Sequence, residues 1–210
     1  MNTENLYRPY HFPNDGSLSG NGLTPQGLSK YVNYLAETDP ETYNNAITHI
    51  NSDPECTPNF DEAFLGNIAR TIKNGHGRGM HIIYRGNHTV SLLNEDNTFL
   101  LLDSYNAYGA KDADHLPVLE FIRQRFPQAE IFTLHDKIQN DYHNCAFFSC
   151  QSAGAIERYL QHEGGTLGQF IGNLDTQKIH IPSQTKSQRT VKRSGKSGRG
   201  CRLGPMQVNL

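Results

Sequence analysis

The sequence predicts an α+β fold, a central mixed or antiparallel sheet flanked by helices, with a cysteine at the first position of a buried helix packed against that sheet. Three observations lead there. Apolar residues recur at helical spacing through the first third of the chain. From Met80 onward the pattern breaks into short apolar runs separated by turn residues. A long apolar segment then begins at Cys145, directly after a polar loop. Helical and extended segments grouped in this way favour a sheet with helices laid on it.

Thr24-Pro25 offers a capping side chain with proline at the first helical position, and Leu28, Tyr31, Val32 and Leu35 share one face behind it. Asp39-Pro40 repeats the start signal, so a second helix carrying Tyr43, Ala46, Ile47 and Ile50 is expected. A third, from about Asp61 to Lys73, holds Phe64, Leu65, Ile68 and Ile72, with Gly75 just past its end. Gly75 to Gly79 lacks the spacing and the lysine of a phosphate-binding loop.

His81 to Arg85 reads as a strand, Gly86-Asn87 as a turn or bulge, and His88 to Leu93 as a second strand. Asn94 to Asn97 makes a hairpin turn, after which Thr98 to Asp103 returns. Asp114 and Pro117 introduce an amphipathic helix with Leu119, Phe121, Ile122 and Phe126, and Ala129 to Leu134 forms a further strand. Asn144 is placed to cap a helix from Cys145 to about Leu160, which Gly164-Gly165 ends.

With 210 residues the chain has room for one sizeable core and not for two large ones. We divide it into a helical N-terminal region (1–75), a core (76–182) and a basic tail (183–210). A mean hydropathy of -0.63 fits a soluble chain with polar loops, and no apolar run approaches bilayer length. The first residues lack the basic start and apolar core of a secretory leader, so none is expected. The 4 cysteines show neither a disulfide framework nor metal spacing, which points to a reducing compartment.

Net charge is near zero but uneven. From Ser183 every charged residue is basic: Lys186, Arg189, Lys192, Arg193, Lys196, Arg199 and Arg202. Rich in Ser and Gly, this tail is expected to be disordered. It reads either as a solvated extension or as a contact for a polyanion. No aromatic residues interleave with the charges, which argues against a nucleic-acid-binding platform.

Four residues appear in an order that carries chemistry: His88, Asp103, Gln139 and Cys145. A thiol attacks only as its thiolate, and a cysteine in the first turn of a helix has its pKa lowered by the macrodipole and unpaired N–H groups. His88 and Asp103 fall on adjacent antiparallel strands, so the carboxylate can fix the imidazole for service as the base. Gln139, on the loop before the helix, can aim its amide at a developing oxyanion together with the Cys145 N–H. Each has a plainer reading alone: a core cysteine, a structural histidine, a turn-forming aspartate, a surface glutamine. Their joint order favours a cysteine-dependent acyl-transfer enzyme. His81, on the preceding strand, is the alternative base. His143 lies too close to Cys145 in sequence to serve, and a zinc site from His76, His81 and His88 lacks a fourth ligand.

The order of these residues, with five residues between Gln139 and Cys145, resembles the adenain-like cysteine peptidase clan. That clan includes the adenoviral protease, SUMO-type proteases, bacterial deubiquitinases and YopJ-type effector acetyltransferases. Arg78 to His88, Leu101 to Asn106 and Ile138 to Ser149 are similar to the YopJ-type segments around the histidine, the acidic residue and the cysteine. Thr89 follows His88 where proteolytic members usually carry tryptophan, a residue this chain lacks altogether. Ala146 follows Cys145 where glycine is usual.

The resemblance implies an adenain-like or SUMO-protease-like fold and a bacterial effector acting in the host cytoplasm. In the acetyltransferase reading, Cys145 takes the acetyl group of acetyl-CoA and passes it to Ser, Thr or Lys of a host protein. Inositol hexakisphosphate is then the implied activator, with the basic tail as one contact. In the alternative, the same residues cleave ubiquitin or a ubiquitin-like protein and need no cofactor. A third class, a degenerate member that only binds a partner, predicts that Cys145→Ala leaves function intact.

Overall fold

The computed structural model describes residues 18–19, 22–51, 58–75, 77–86, 88–104, 116–134, 144–173 and 176–178. A short hairpin, β1 (Leu18–Ser19) with β2 (Gly22–Leu23), leads into α1 (Pro25–Thr38). Thr24 caps α1 as its sequence promised, its Oγ1 accepting from the Gly27 N–H at 3.1 Å. Leu28, Tyr31, Val32 and Leu35 all face inward.

The second expected helix is corrected. Asp39 does start one, α2, but it stops after Pro40–Tyr43. Ala46–Asn51 is instead a strand, β3, running parallel to β4 (Gly79–Arg85) from Ala46↔Met80 to Asn51↔Arg85. Tyr43, Ala46, Ile47 and Ile50 have helical spacing, yet Ile47, Thr48 and Ile50 are β-branched, and pairing with β4 settles the outcome.

After α3 (Pro58–Asn74) the chain passes through β4 and β5 (His88–Glu95), then turns at Asp96 (φ 52°) into β6 (Thr98–Leu102). α4 (Leu116–Arg125) crosses to β7 (Glu130–Leu134), which lies parallel to β6. α5 (Cys145–Glu163) follows, ended by Gly164 in the left-handed region at φ 69°. α6 (Leu167–Gly172) and β8 (Thr176–Lys178), neither expected from the sequence, complete the fold. The six-stranded sheet has the order β3-β4-β5-β6-β7-β8, and the fold class is α+β with a mixed sheet flanked by helices.

Strand alternation divides the core into two apolar layers, one on each face. On one side Ile83, Val90, Leu92, Phe99, Leu101 and Ile131 meet α3 and α4. On the other, Met80, Ile82, Leu93, Leu100 and Leu102 meet α1, α5 and α6. No helix among the described residues is long and apolar enough to cross a membrane.

A polar network closes one end of this second face. Arg78 donates to Glu157 of α5 at 2.8 Å and to Glu95 of β5 at 3.3 Å. The second Glu95 oxygen accepts the Leu167 N–H, and Thr166 and Gln169 form a capping box at the start of α6. One half-buried carboxylate thus ties the end of a central strand to the helix that seals it.

Candidate active site

β5 and α5 bring the site together. His88 is the first residue of β5, and Cys145 is the first residue of α5, whose inner face lies on that strand. Two reciprocal hydrogen bonds fix helix to strand. Ser149 Oγ donates to the Thr89 carbonyl, and Ser91 Oγ donates to the Ser149 carbonyl, both at 2.8 Å. Ser149 lies one helical turn beyond Cys145 and Thr89 directly follows His88, so the clamp sets the two functional groups against each other. Both serines are buried.

Asp103 comes immediately after β6, the strand beside β5. Its Oδ1 lies 2.9 Å from His88 Nε2, with the carboxylate side chain only 1% exposed and the imidazole 19%. With Nε2 committed to Asp103, Nδ1 is the ring nitrogen left to face the Cys145 sulfur. Burial pulls the His88 pKa down, but hydrogen bonds to Asp103 and Cys145, with their negative charge, more than reverse it and hold it raised. Burial pushes the Cys145 thiol up, and the hydrogen bond and charge of His88 outweigh that, leaving it lowered. The Thr89 N–H and hydroxyl act in the same direction. Each group thus favours the charged form of the other, thiolate on Cys145 and imidazolium on His88.

The surroundings separate this thiol from its neighbour. Cys150 is fully buried, and burial together with the Cys145 charge pushes it up to about 12. It is a core residue, its carbonyl accepting from the Tyr43 hydroxyl at 3.0 Å. Tyr84, on β4, has its pKa raised by burial and then by the Cys145 charge, which puts its phenol within electrostatic range of the sulfur.

The structure thus brings together His88, Asp103 and Cys145 among the residues singled out in the sequence. Gln139, His76 and His143 lie outside the described residues. His81, the alternative base, is committed elsewhere: its Nδ1 is 3.0 Å from His49 Nε2 and its Nε2 is 2.9 Å from Asn94 Oδ1. It shares the face of Ile83, on the α3 and α4 side of the sheet, away from Cys145. Asn144 holds the N-cap position of α5 but makes no side-chain capping hydrogen bond to it, so the expected cap is not formed. The N–H groups of Cys145 and Ala146 have no acceptor within the helix and are of the kind that receives an oxyanion. Among the described residues no group of three or more His, Cys, Asp or Glu could hold a metal.

Ser91, Ser149 and Tyr84 are not singled out by the sequence, and Thr89 only as the residue in place of a tryptophan. Small polar residues on a strand and a helix carry no local mark. Only the docking of α5 on β5 gives them partners.

No family model matches the chain, and neither does any curated protein. Among solved structures it is similar to a deletion variant of AvrA with IP6 and CoA, at 13% identity and a TM-score of 0.45. That match covers 67% of this chain and 50% of AvrA, so the chain spans about half the AvrA length. A de-sumoylating protease matches at 13% identity and a TM-score of 0.39, over 62% of this chain and 59% of the other. The central domain of Lpg1148 from Legionella pneumophila matches at 18% identity and a TM-score of 0.35, over 62% and 73%. The candidate site itself rests on the geometry described above.

Proposed function

We propose that this protein is a cysteine-dependent acyl-transfer enzyme of YopJ type, an effector that acetylates Ser, Thr or Lys of host proteins through a thioester on Cys145. The observation that carries the reading is the 2.9 Å Asp103–His88 hydrogen bond beside a cysteine that opens a helix and is charge-paired with that histidine. Thr89 in place of a tryptophan, and the segment from Arg78 to His88, favour acetyl transfer over ubiquitin-type proteolysis.

In the first half-reaction the Cys145 thiolate attacks the acetyl carbonyl of acetyl-CoA. The oxyanion is met by the N–H groups at the start of α5, with Gln139 as the proposed side-chain donor. Collapse breaks the bond to the CoA sulfur, which takes the proton from His88. In the second, His88 removes the proton of the acceptor hydroxyl or amine as it attacks the thioester, and Cys145 leaves as the thiolate. Asp103 holds the imidazole in one orientation and balances its charge throughout.

Inositol hexakisphosphate is the proposed activator. Arg78 and Arg158 are already paired with carboxylates, Arg158 with Asp39 at 2.8 Å. The cations of the 183–210 tail are the proposed contact for the polyphosphate.

The test is intact mass after incubation with acetyl-CoA and inositol hexakisphosphate, for wild type and Cys145→Ala. An acetyl adduct on the wild type alone is expected. If neither protein is modified, acetyl transfer is rejected, and reaction of Cys145 with ubiquitin or SUMO active-site probes would identify the proteolytic alternative. A Cys145→Ala protein that keeps full function would identify a binding module.

A further inference from the structure

Thr89 is fully buried, and its Oγ1 makes no regular hydrogen bond among the described residues. Buried hydroxyls almost always find a partner, because leaving one unpaired costs the fold. This residue is also held unusually firmly. Its carbonyl accepts from Ser149 Oγ at 2.8 Å, one turn along the helix from Cys145. As a β-branched residue on a strand it has little freedom at χ1. Its hydroxyl and its N–H both favour the thiolate form of Cys145, in the same direction as His88.

We propose that Thr89 is a further catalytic residue, whose hydroxyl donates a hydrogen bond to the Cys145 sulfur whenever that sulfur carries negative charge. The inference rests on the acyl-transfer reading and adds a group to it. The sulfur is negative twice in each cycle: before it is acylated, and again as the acyl group departs to the acceptor. A donor aimed at it raises the fraction of thiolate in the resting protein and makes Cys145 a better leaving group in the second step. In the acylated state the sulfur is neutral and the hydroxyl returns to having no strong acceptor. An apolar residue of equal size would fill the same space at less cost to the fold, so the hydroxyl carries a price in stability that reactivity explains.

The experiment is site-resolved alkylation of the full-length chain with iodoacetamide, followed at Cys145 by peptide mass spectrometry from pH 4 to 10. Wild type, Thr89→Val, Thr89→Ser and His88→Ala are compared, with a melting curve for each. Thr89→Val is expected to move the Cys145 midpoint upward and to slow alkylation at pH 6 by roughly three- to tenfold, with a melting temperature equal to or above wild type. Thr89→Ser should stay within about twofold of wild type, since it keeps the donor. Should Thr89→Val fail to fold, Thr89→Ala against Thr89→Ser makes the same comparison. A Thr89→Val midpoint equal to wild type overturns the proposal. So does an equal loss in Thr89→Ser, which would assign the effect to shape. If wild-type Cys145 titrates as an ordinary thiol and His88→Ala leaves it there, the acyl-transfer reading itself fails. If wild type and His88→Ala behave as expected while Thr89→Val matches wild type, only the role of Thr89 falls.

Discussion

Asp103 Oδ1 lies 2.9 Å from Nε2 of His88, bridging from the end of β6 to the start of its antiparallel neighbour. The carboxylate is nearly sealed from solvent, so its charge acts on the imidazole with little screening. Asp103→Asn keeps the shape and removes that charge. Turnover should fall on the order of 10²-fold or more, with the fold unchanged by circular dichroism.

The thiolate–imidazolium pair sets a pH window. The Cys145 pKa is lowered, so its thiolate forms below the ordinary thiol range, and the His88 pKa is raised to about 10, so the imidazolium persists into the alkaline range. Alkylation of Cys145 should therefore be appreciable well below the ordinary thiol value of about 8.5. His88→Ala should return its midpoint to that range or above it, since burial is then unopposed.

His49 and His81 give the fold an acid-sensitive seam. Both are buried and held to about 4, His49 by burial and then by His81, and His81 by burial against the opposing bond to Asn94. A histidine whose folded pKa is depressed contributes no penalty above its unfolded value near 6.5, and stability is lost as pH falls from there towards 4. Urea unfolding midpoints should fall steeply between pH 6.5 and 4.5, by a few kcal/mol in all. His81→Asn should flatten that dependence. The entrance to β4 is fitted to this relay, because a Cβ at Gly79 would lie 2.5 Å from Asn94 Oδ1 and 2.9 Å from His81 Nε2.

Ser149→Ala should cost about 1–3 kcal/mol, by removing a buried hydrogen bond to the Thr89 carbonyl. It should also slow Cys145 alkylation at neutral pH, whereas a distant core truncation of similar cost leaves that rate unchanged. Measuring both quantities on Ser149→Ala and Leu119→Val makes the comparison.

Gly154→Ala should destabilise by roughly 1–3 kcal/mol. A Cβ there would collide with the hydroxyl of the buried Tyr43, which is held by the Cys150 carbonyl. Chemical denaturation against wild type checks this.

Much of this was legible in the sequence because it is local. Thr24-Pro25, the run of apolar residues in β4 to β6, and the Asp96 turn each signal their own structure within a few residues. The order of His88, Asp103 and Cys145 could be read for the same reason, since two adjacent strands and a helix start are enough to bring them together. Residues 46–51 were misread as helix because their apolar spacing fits both periods and only pairing with β4 decides between them. The Thr166-x-x-Gln169 capping box is a sequence signal for α6 that our reading of the chain did not use. The His49–His81 relay was not visible, because it joins β3 to β4 through a parallel pairing that no short motif encodes.

The two halves of the site differ in how far along the chain they must be gathered. His88 and Asp103 meet across a hairpin whose turn is two residues long, a contact that forms from its own neighbourhood. Cys145 joins them only when α5 has crossed back over β5 and the Ser91 and Ser149 bonds have closed. A partly folded chain can thus hold its acid–base pair while its thiol remains ordinary. Reactivity at Cys145 is in effect a checkpoint on assembly: the nucleophile stays unarmed until α5 has docked on β5.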